Sequence, residues 1–227
     1  FSKNINEFDP NDESYDTNIH FLIRSYIGSE VDYIVTSIPD EKGDIVIGDR
    51  IMAMDKLKKE YYIDEAILKP GKLVNARVVI SKRPGIVVEA AGIEFFLPNK
   101  ELKYTWLNDA TEFKPNGSNI VVLIKDVQYT EVDGKKDVSV VKGSAKEAFP
   151  DQRIEAFDRY QLDDVTFGDV VGITQNGIFV NLGEIDCLCL FPKFTEIPEI
   201  GDRVTIKITR KLEDRLFING LILAVNS

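Results

Sequence analysis

Gly177-Ile-Phe-Val-Asn-Leu182 is the stretch that decides the fold. Side chains on a strand alternate faces with period two, so Ile178, Val180 and Leu182 share one side. Phe179 and Asn181 then share the other. Three aliphatic side chains behind an outward aromatic and an amide describe a strand with one buried face. Asn176-Gly177 in front of it is a hairpin turn, since both residue types tolerate the backbone such turns need. Working outward, residues 165–174 read as the preceding strand, and residues 185–191, 203–209 and 216–223 as three more.

The same grammar recurs upstream. Residues 72–80 form a strand, Lys82-Arg-Pro-Gly85 a turn, 86–90 a second strand, and 93–98, opened by Gly92, a third. A looser stretch holding Tyr104 and Trp106 separates these from strands at 120–127 and 137–141, which flank a polar turn at 131–136. In both segments the irregular insert falls between strands three and four; residues 192–202 make the shorter one. Five strands in roughly 70 residues suit an OB-type barrel, in which closure removes the exposed edges. An immunoglobulin-like sandwich needs about seven. The expected fold class is all-β with linker helices, in tandem five-stranded OB-fold barrels. The expected divisions are a partial or atypical OB-like segment with a linker helix over 1–67, a barrel over 68–143, a helical linker over 144–162 and a barrel over 163–227. Within the first of these, Leu57 and Tyr61 lie four apart among Lys and Glu, which predicts a helix over 52–67 that Pro70-Gly71 ends. A second helix is predicted over about 144–160.

Composition narrows the function. The net charge of −10 argues against a general nucleic-acid coat, because phosphate binding relies on Lys and Arg. The charge is unevenly spread: residues 1–65 carry 7 basic and 15 acidic side chains, 66–148 carry 13 and 10, and 149–227 carry 8 and 13. Only the middle segment is basic. With His20 as the single histidine, no Ser-His-Asp arrangement and no His-rich metal site can be assembled. No phosphate-cradling glycine loop is present. Cys187 and Cys189, two apart on a strand, point to one face and read as small buried hydrophobes. No stretch approaches the roughly 18 apolar residues of a membrane span. The expectations are therefore no catalysis, no cofactor, no metal, no membrane partner and a cytoplasmic location. The chain opens on Phe1, as a processed protein or a part of a longer one would.

In these motifs the chain resembles the OB-fold RNA-binding domain named after the first protein of the small ribosomal subunit, the S-one-type domain. Gly177-Ile-Phe-Val-Asn-Leu182 and Gly201-Asp-Arg-Val204 carry the resemblance in the last segment. Gly85-Ile-Val-Val88, Phe96-Leu-Pro-Asn-Lys-Glu-Leu102 and the strand pair within 120–141 carry it in the middle one. The first segment matches only the later half of such a domain, through Gly28-Ser-Glu-Val31 and Asp40-Glu-Lys-Gly43. Departures lie on the presumed ligand face: Val87 holds the outward position where an aromatic is usual, and Glu89 follows it outward. Pro84 and Asn176 precede the turn glycines, and Pro98 and Pro192 replace an outward His.

The resemblance implies weak to moderate binding of single-stranded RNA, in translation or transcription. Phe179 and Asn181 would supply a stacking platform, and Lys82, Arg83, Lys100, Lys103 and Tyr104 a basic-aromatic surface. Lys193, Arg210 and Lys211 would flank Phe179. Two readings stay open for the rings: Phe179 either stacks on a base or is covered by the linker or a neighbouring domain, and Trp106 either meets RNA or caps a barrel. The alternative for the whole chain is a structural or protein-binding module, within a viral or ribonucleoprotein assembly for example, that has kept the barrel and lost the RNA face.

Overall fold

The computed structural model describes residues 30–37, 46–192 and 196–226. Strands β3 (Leu73–Lys82), β4 (Gly85–Ala90), β5 (Ile93–Pro98), β6 (Asn119–Val132) and β7 (Lys135–Ser144) form one sheet in the order β5-β4-β3-β6-β7. Strands β8 (Val165–Thr174), β9 (Gly177–Asn181), β10 (Asp186–Leu190), β11 (Arg203–Leu212) and β12 (Phe217–Asn226) form a closed barrel in the order β10-β12-β11-β8-β9. The connectivity is the same in both: a three-stranded meander, then a fourth strand on the first and a fifth on the fourth. The fold is two OB-type barrels in tandem. Each has its own core, one built around Val78, Ile86, Val88, Leu97 and Ile124, the other around Ile178, Val180, Ile206, Ile208 and Ile218.

Closure differs between the two. In the second barrel β10 runs parallel to β12, from Cys187 opposite Ile218 to Leu190 opposite Leu221. Gly220 permits this approach, since a Cβ there would stand 2.8 Å from the Cys187 sulfur and 3.2 Å from that of Cys189. In the first barrel β5 and β7 meet through side chains without a ladder, which corrects the expectation of two fully closed barrels. The registers explain it. Val88 pairs with Phe95 as Val180 pairs with Cys187, so a phenyl ring fills the seam where the second barrel has a thiol. The ring is 7% exposed and lies against Gly143, and the seam is tied at one end by Ala145 N–H donating to the Glu101 carbonyl at 2.8 Å.

Alternation sorts the strand residues as expected. Ile178 and Val180 are buried and Phe179 is half-buried on the outer side; Phe95 is inside while Phe96 is 48% exposed. The two thiols are fully buried and unbridged. The polar turn expected over 131–136 tightens to Asp133-Gly134, both at positive φ, so the β6–β7 hairpin projects further than the sequence pattern suggests.

Upstream of the barrels, β1 (Ile34–Ser37) and β2 (Ile47–Asp49) pair antiparallel. Helix α1 (Arg50–Lys58) follows, capped by the Asp49 carboxylate, and continues as a π-helical turn over Lys59–Asp64. It lies directly on the first barrel. A Cβ on Gly92, at φ +84°, would fall 2.1 Å from the Met54 carbonyl oxygen. The buried Tyr62 hydroxyl donates to the Ala90 carbonyl at 3.1 Å. Glu89 accepts from both Arg50 of the helix and Arg77 of β3, the latter at 2.8 Å. The second predicted helix is shorter than expected. Phe149 precedes Pro150 and is extended, because a residue before proline avoids the helical region. Within 144–160 only the 3₁₀ turn Lys146–Ala148 and a helix over Arg153–Arg159 (α3) form, α3 burying Ala156 and Phe157 in the second core; α2 is the short helical turn Asn99–Leu102 that opens the insert after β5.

Candidate nucleic-acid interface

Strands two and three of an OB barrel, with the loops beside them, are where such barrels take up oligonucleotides. On the second barrel that face is met by the insert of the first. The Trp106 ring stacks on Phe179 with centroids 4.5 Å apart and 24° between planes. Beneath it runs Gly172 of β8, where a Cβ would lie 2.6 Å from the indole. The Trp106 backbone N–H donates to the Asp186 carboxylate, whose other oxygen accepts from Asn181 Nδ2 at 2.7 Å. Burial raises the Asp186 pKa, and the bonds from Asn181 and Trp106 pull against it. In this structure Trp106 covers the outer face of Phe179. Trp106, for its part, bridges the barrels rather than capping one.

Around this contact the two barrels enclose a groove. Its inner part is a cleft of about 370 Å³ lined by Lys100, Lys103, Tyr104, Trp106, Lys146, Arg153, Phe179 and Asp186, among others. A second cleft shares Lys103, Tyr104, Lys146 and Arg153 and adds Phe113, Lys114, Phe149 and Glu184. The Tyr104 ring has the Lys146 ammonium 5.0 Å and the Arg153 guanidinium 4.2 Å from its centroid. Burial raises the Tyr104 pKa, so its hydroxyl stays protonated at neutral pH. Arg153 also forks onto Asp151, with Nη2 at 2.7 Å from Oδ2, and this bond holds the Asp151 carboxyl below its usual range. Lys103 lies 5.7 Å from the Phe113 centroid. Of the two carboxylates in the lining, Glu184 accepts from Arg159 at 2.6 Å and Asp186 is engaged as described.

Of the residues singled out from sequence, Lys100, Lys103, Tyr104 and Phe179 come together in the groove. Asn181 uses its amide on Asp186 and on the Gly183 backbone. Lys82 and Arg83 are exposed at the β3–β4 turn of the first barrel, where Arg83 Nη2 reaches the Asn108 side chain at 3.4 Å. Arg210 is exposed on β11. Lys211 donates to the Phe157 carbonyl at 2.8 Å and to that of Tyr160, at the end of α3. Lys193 lies outside the described residues, as does His20. Sequence reasoning missed Lys146, Arg153 and Phe149, which sit in the linker. Their signal was a pair of cations around Phe149-Pro150, in a segment read only as a connection.

Comparison with known proteins starts from sequence. The chain is 24% identical over 208 residues to a protein of Leuconostoc lactis, covering 86% of this chain. The likeness is to small ribosomal subunit protein bS1. The bS1 of Rhizobium meliloti is also 24% identical, over 81% of the chain, and that of Streptococcus pneumoniae 21% over 73%. The S-one-type resemblance read from the motifs thus extends along most of the molecule. The chain spans less than half of each bS1: 46%, 32% and 40% respectively. No family model matches. Among solved structures, GSP13 from Bacillus subtilis is 26% identical over 28% of this chain and 55% of its own, at a TM-score of 0.26. A multidomain protein with nucleic acid binding domains from Streptococcus pneumoniae is 14% identical over 69% of this chain and 53% of its own, also at 0.26. Superpositions this loose fix neither topology nor ligand. The fold rests on the strand pairing.

Proposed function

We propose that the chain binds single-stranded RNA along the groove between its barrels, as a cytoplasmic, non-catalytic component of translation. The carrying observation is the groove itself. Lys100, Lys103, Lys114, Lys146 and Arg153 converge there with Tyr104, Phe113, Phe149 and Phe179, in a chain whose net charge is −10. Cations take phosphates and rings take bases, which needs no particular sequence because every base has a π-face. The likeness to bS1 supports the same reading. The barrels over 68–143 and 163–227 are the working units, and the linker between them contributes Lys146 and Arg153. Lys82, Arg83, Arg210 and Lys193 stand as outlying contacts for a longer strand.

The test is anisotropy of a labelled, unstructured oligouridylate at several salt concentrations. The logarithm of the affinity should fall against log salt by about 0.7 for each phosphate neutralised. Lys103→Ala with Lys146→Ala should weaken binding and flatten that slope. Absence of binding at low salt would overturn the proposal. It would favour a second reading, the protein-assembly module, for which one observation speaks: on both barrels the strand-two face is occupied by the chain's own preceding segment, Arg50 on Glu89 and Trp106 on Phe179.

A further inference from the structure

We propose that Trp106 holds the place of an unpaired nucleobase on Phe179, and that a strand entering the groove displaces it. This rests on the RNA reading of the groove and names what gates it. The stacking geometry is that of a base on an aromatic platform: parallel to within 24° at 4.5 Å. The fit is nevertheless incomplete. Trp106 Nε1 is buried and finds no acceptor among the described residues, whereas a buried indole N–H normally has one. An unmet buried donor weakens the closed arrangement, because swinging the ring out restores its hydrogen bond to water.

The insert is anchored to the first barrel on either side of the ring, by buried Leu102 and Ala110 and by Asn99 Nδ2 donating to the Leu107 carbonyl at 2.9 Å, so the displacement is a swing of the Trp106 side chain and its local backbone. Between β5 and β6 the insert's only regular structure is the four-residue α2 and one 3₁₀ turn, Ala110–Glu112. Among the described residues, its hydrogen-bonded tie to the second barrel beside the ring is that from the Trp106 backbone N–H to the Asp186 carboxylate. Lys103, Lys146 and Arg153 share the cleft with Trp106, so phosphates held by them deliver a base beside the occupied platform. The ligand that opens the contact is thus a strand with exposed bases. A backbone of equal charge without bases neutralises the same cations and leaves the stack closed.

Trp106 is the only tryptophan in the chain, so its emission reports this one contact. Oligouridylate should shift the emission maximum to the red with the same midpoint as anisotropy. An abasic oligonucleotide of equal length should bind without the shift. Gly172→Ala places a Cβ 2.6 Å from the indole and should give a red-shifted maximum before any RNA is added. RNA should then bind it several-fold tighter than the parent chain. Trp106→Ala, which removes the competing ring, should also bind several-fold tighter. RNA binding with an unmoved emission maximum, or a loss of affinity in Trp106→Ala, overturns the displacement while leaving the RNA reading intact. Absence of RNA binding in the parent and in both variants overturns both. Binding by the variants alone would show that Trp106 blocks the platform and is not displaced, which overturns the displacement.

Discussion

Phe179 illustrates how a half-buried ring divides its contribution between stability and binding. Its neighbours Ile178 and Val180 are fully buried, so the barrel core closes beneath it without help from the ring. Phe179→Ala should cost about 1–3 kcal/mol of RNA affinity, the usual worth of a stacked base. Its cost in stability should stay near the 0.5–1.5 kcal/mol of one aromatic pair plus a modest loss of buried area. Denaturant melts and RNA titration of one variant separate the two; a stability loss approaching the roughly 3–5 kcal/mol of a core Phe→Ala would place the ring in the core. Asp151 offers a residue-scale test in pH. Its folded pKa is lowered by the Arg153 bond, so the pair's stabilisation is present above the ordinary Asp pKa of 3.8. It is lost as pH falls through the lower folded value. Asp151→Asn should reduce stability at neutral pH and flatten that part of the acid limb, as read by melting temperature against pH.

At the scale of elements, the seat of α1 on the first barrel is decided by a residue with no side chain. Gly71 and Gly92 both have φ near +85°, at +88° and +84°, so Ala carries the same backbone strain at either. Only at Gly92 would the new Cβ also meet the helix, at the Met54 carbonyl; around Gly71 nothing lies within 4 Å. Gly71→Ala should therefore cost about 1 kcal/mol and Gly92→Ala clearly more, with loss of helix docking visible by amide exchange over residues 50–64. Equal costs would mean the helix does not rest there. Glu89 belongs to the same seat. From sequence it marked a spoiled RNA face, but it is the acceptor that joins α1 to β3. The strands themselves were legible because alternation is local: residues 165–174 were read with their observed bounds. What was not legible was closure, since the Phe95 and Cys187 seams depend on which residue lies across a barrel, far away in sequence.

For the molecule as a whole, two separate cores predict two coupled unfolding events. Ile86→Ala and Ile178→Ala each empty a fully buried position and should cost about 2–5 kcal/mol. Calorimetry should show each lowering a different transition; one transition shifted equally by both would show that the barrels unfold as a unit. The groove between them could be only half read from sequence. The basic-aromatic run around Lys100–Tyr104 stood out by composition, and Phe179 by alternation. That Trp106 would meet Phe179, and that the linker would add Lys146 and Arg153, depends on how the barrels lean together. No local pattern encodes that.

The thiols at the second barrel's seam give this molecule an internal clock. Both of its cysteines lie there, at 0% exposure, and the first barrel has none. A thiol reagent reaches them when β10 parts from β9 or β12, so the labelling rate measures how often that side of the second barrel opens under native conditions. The first barrel's openings leave the signal silent. Saturating RNA should slow the labelling if it clamps the second barrel shut, and a rate that does not change would show that the strand engages the groove without tightening the seam.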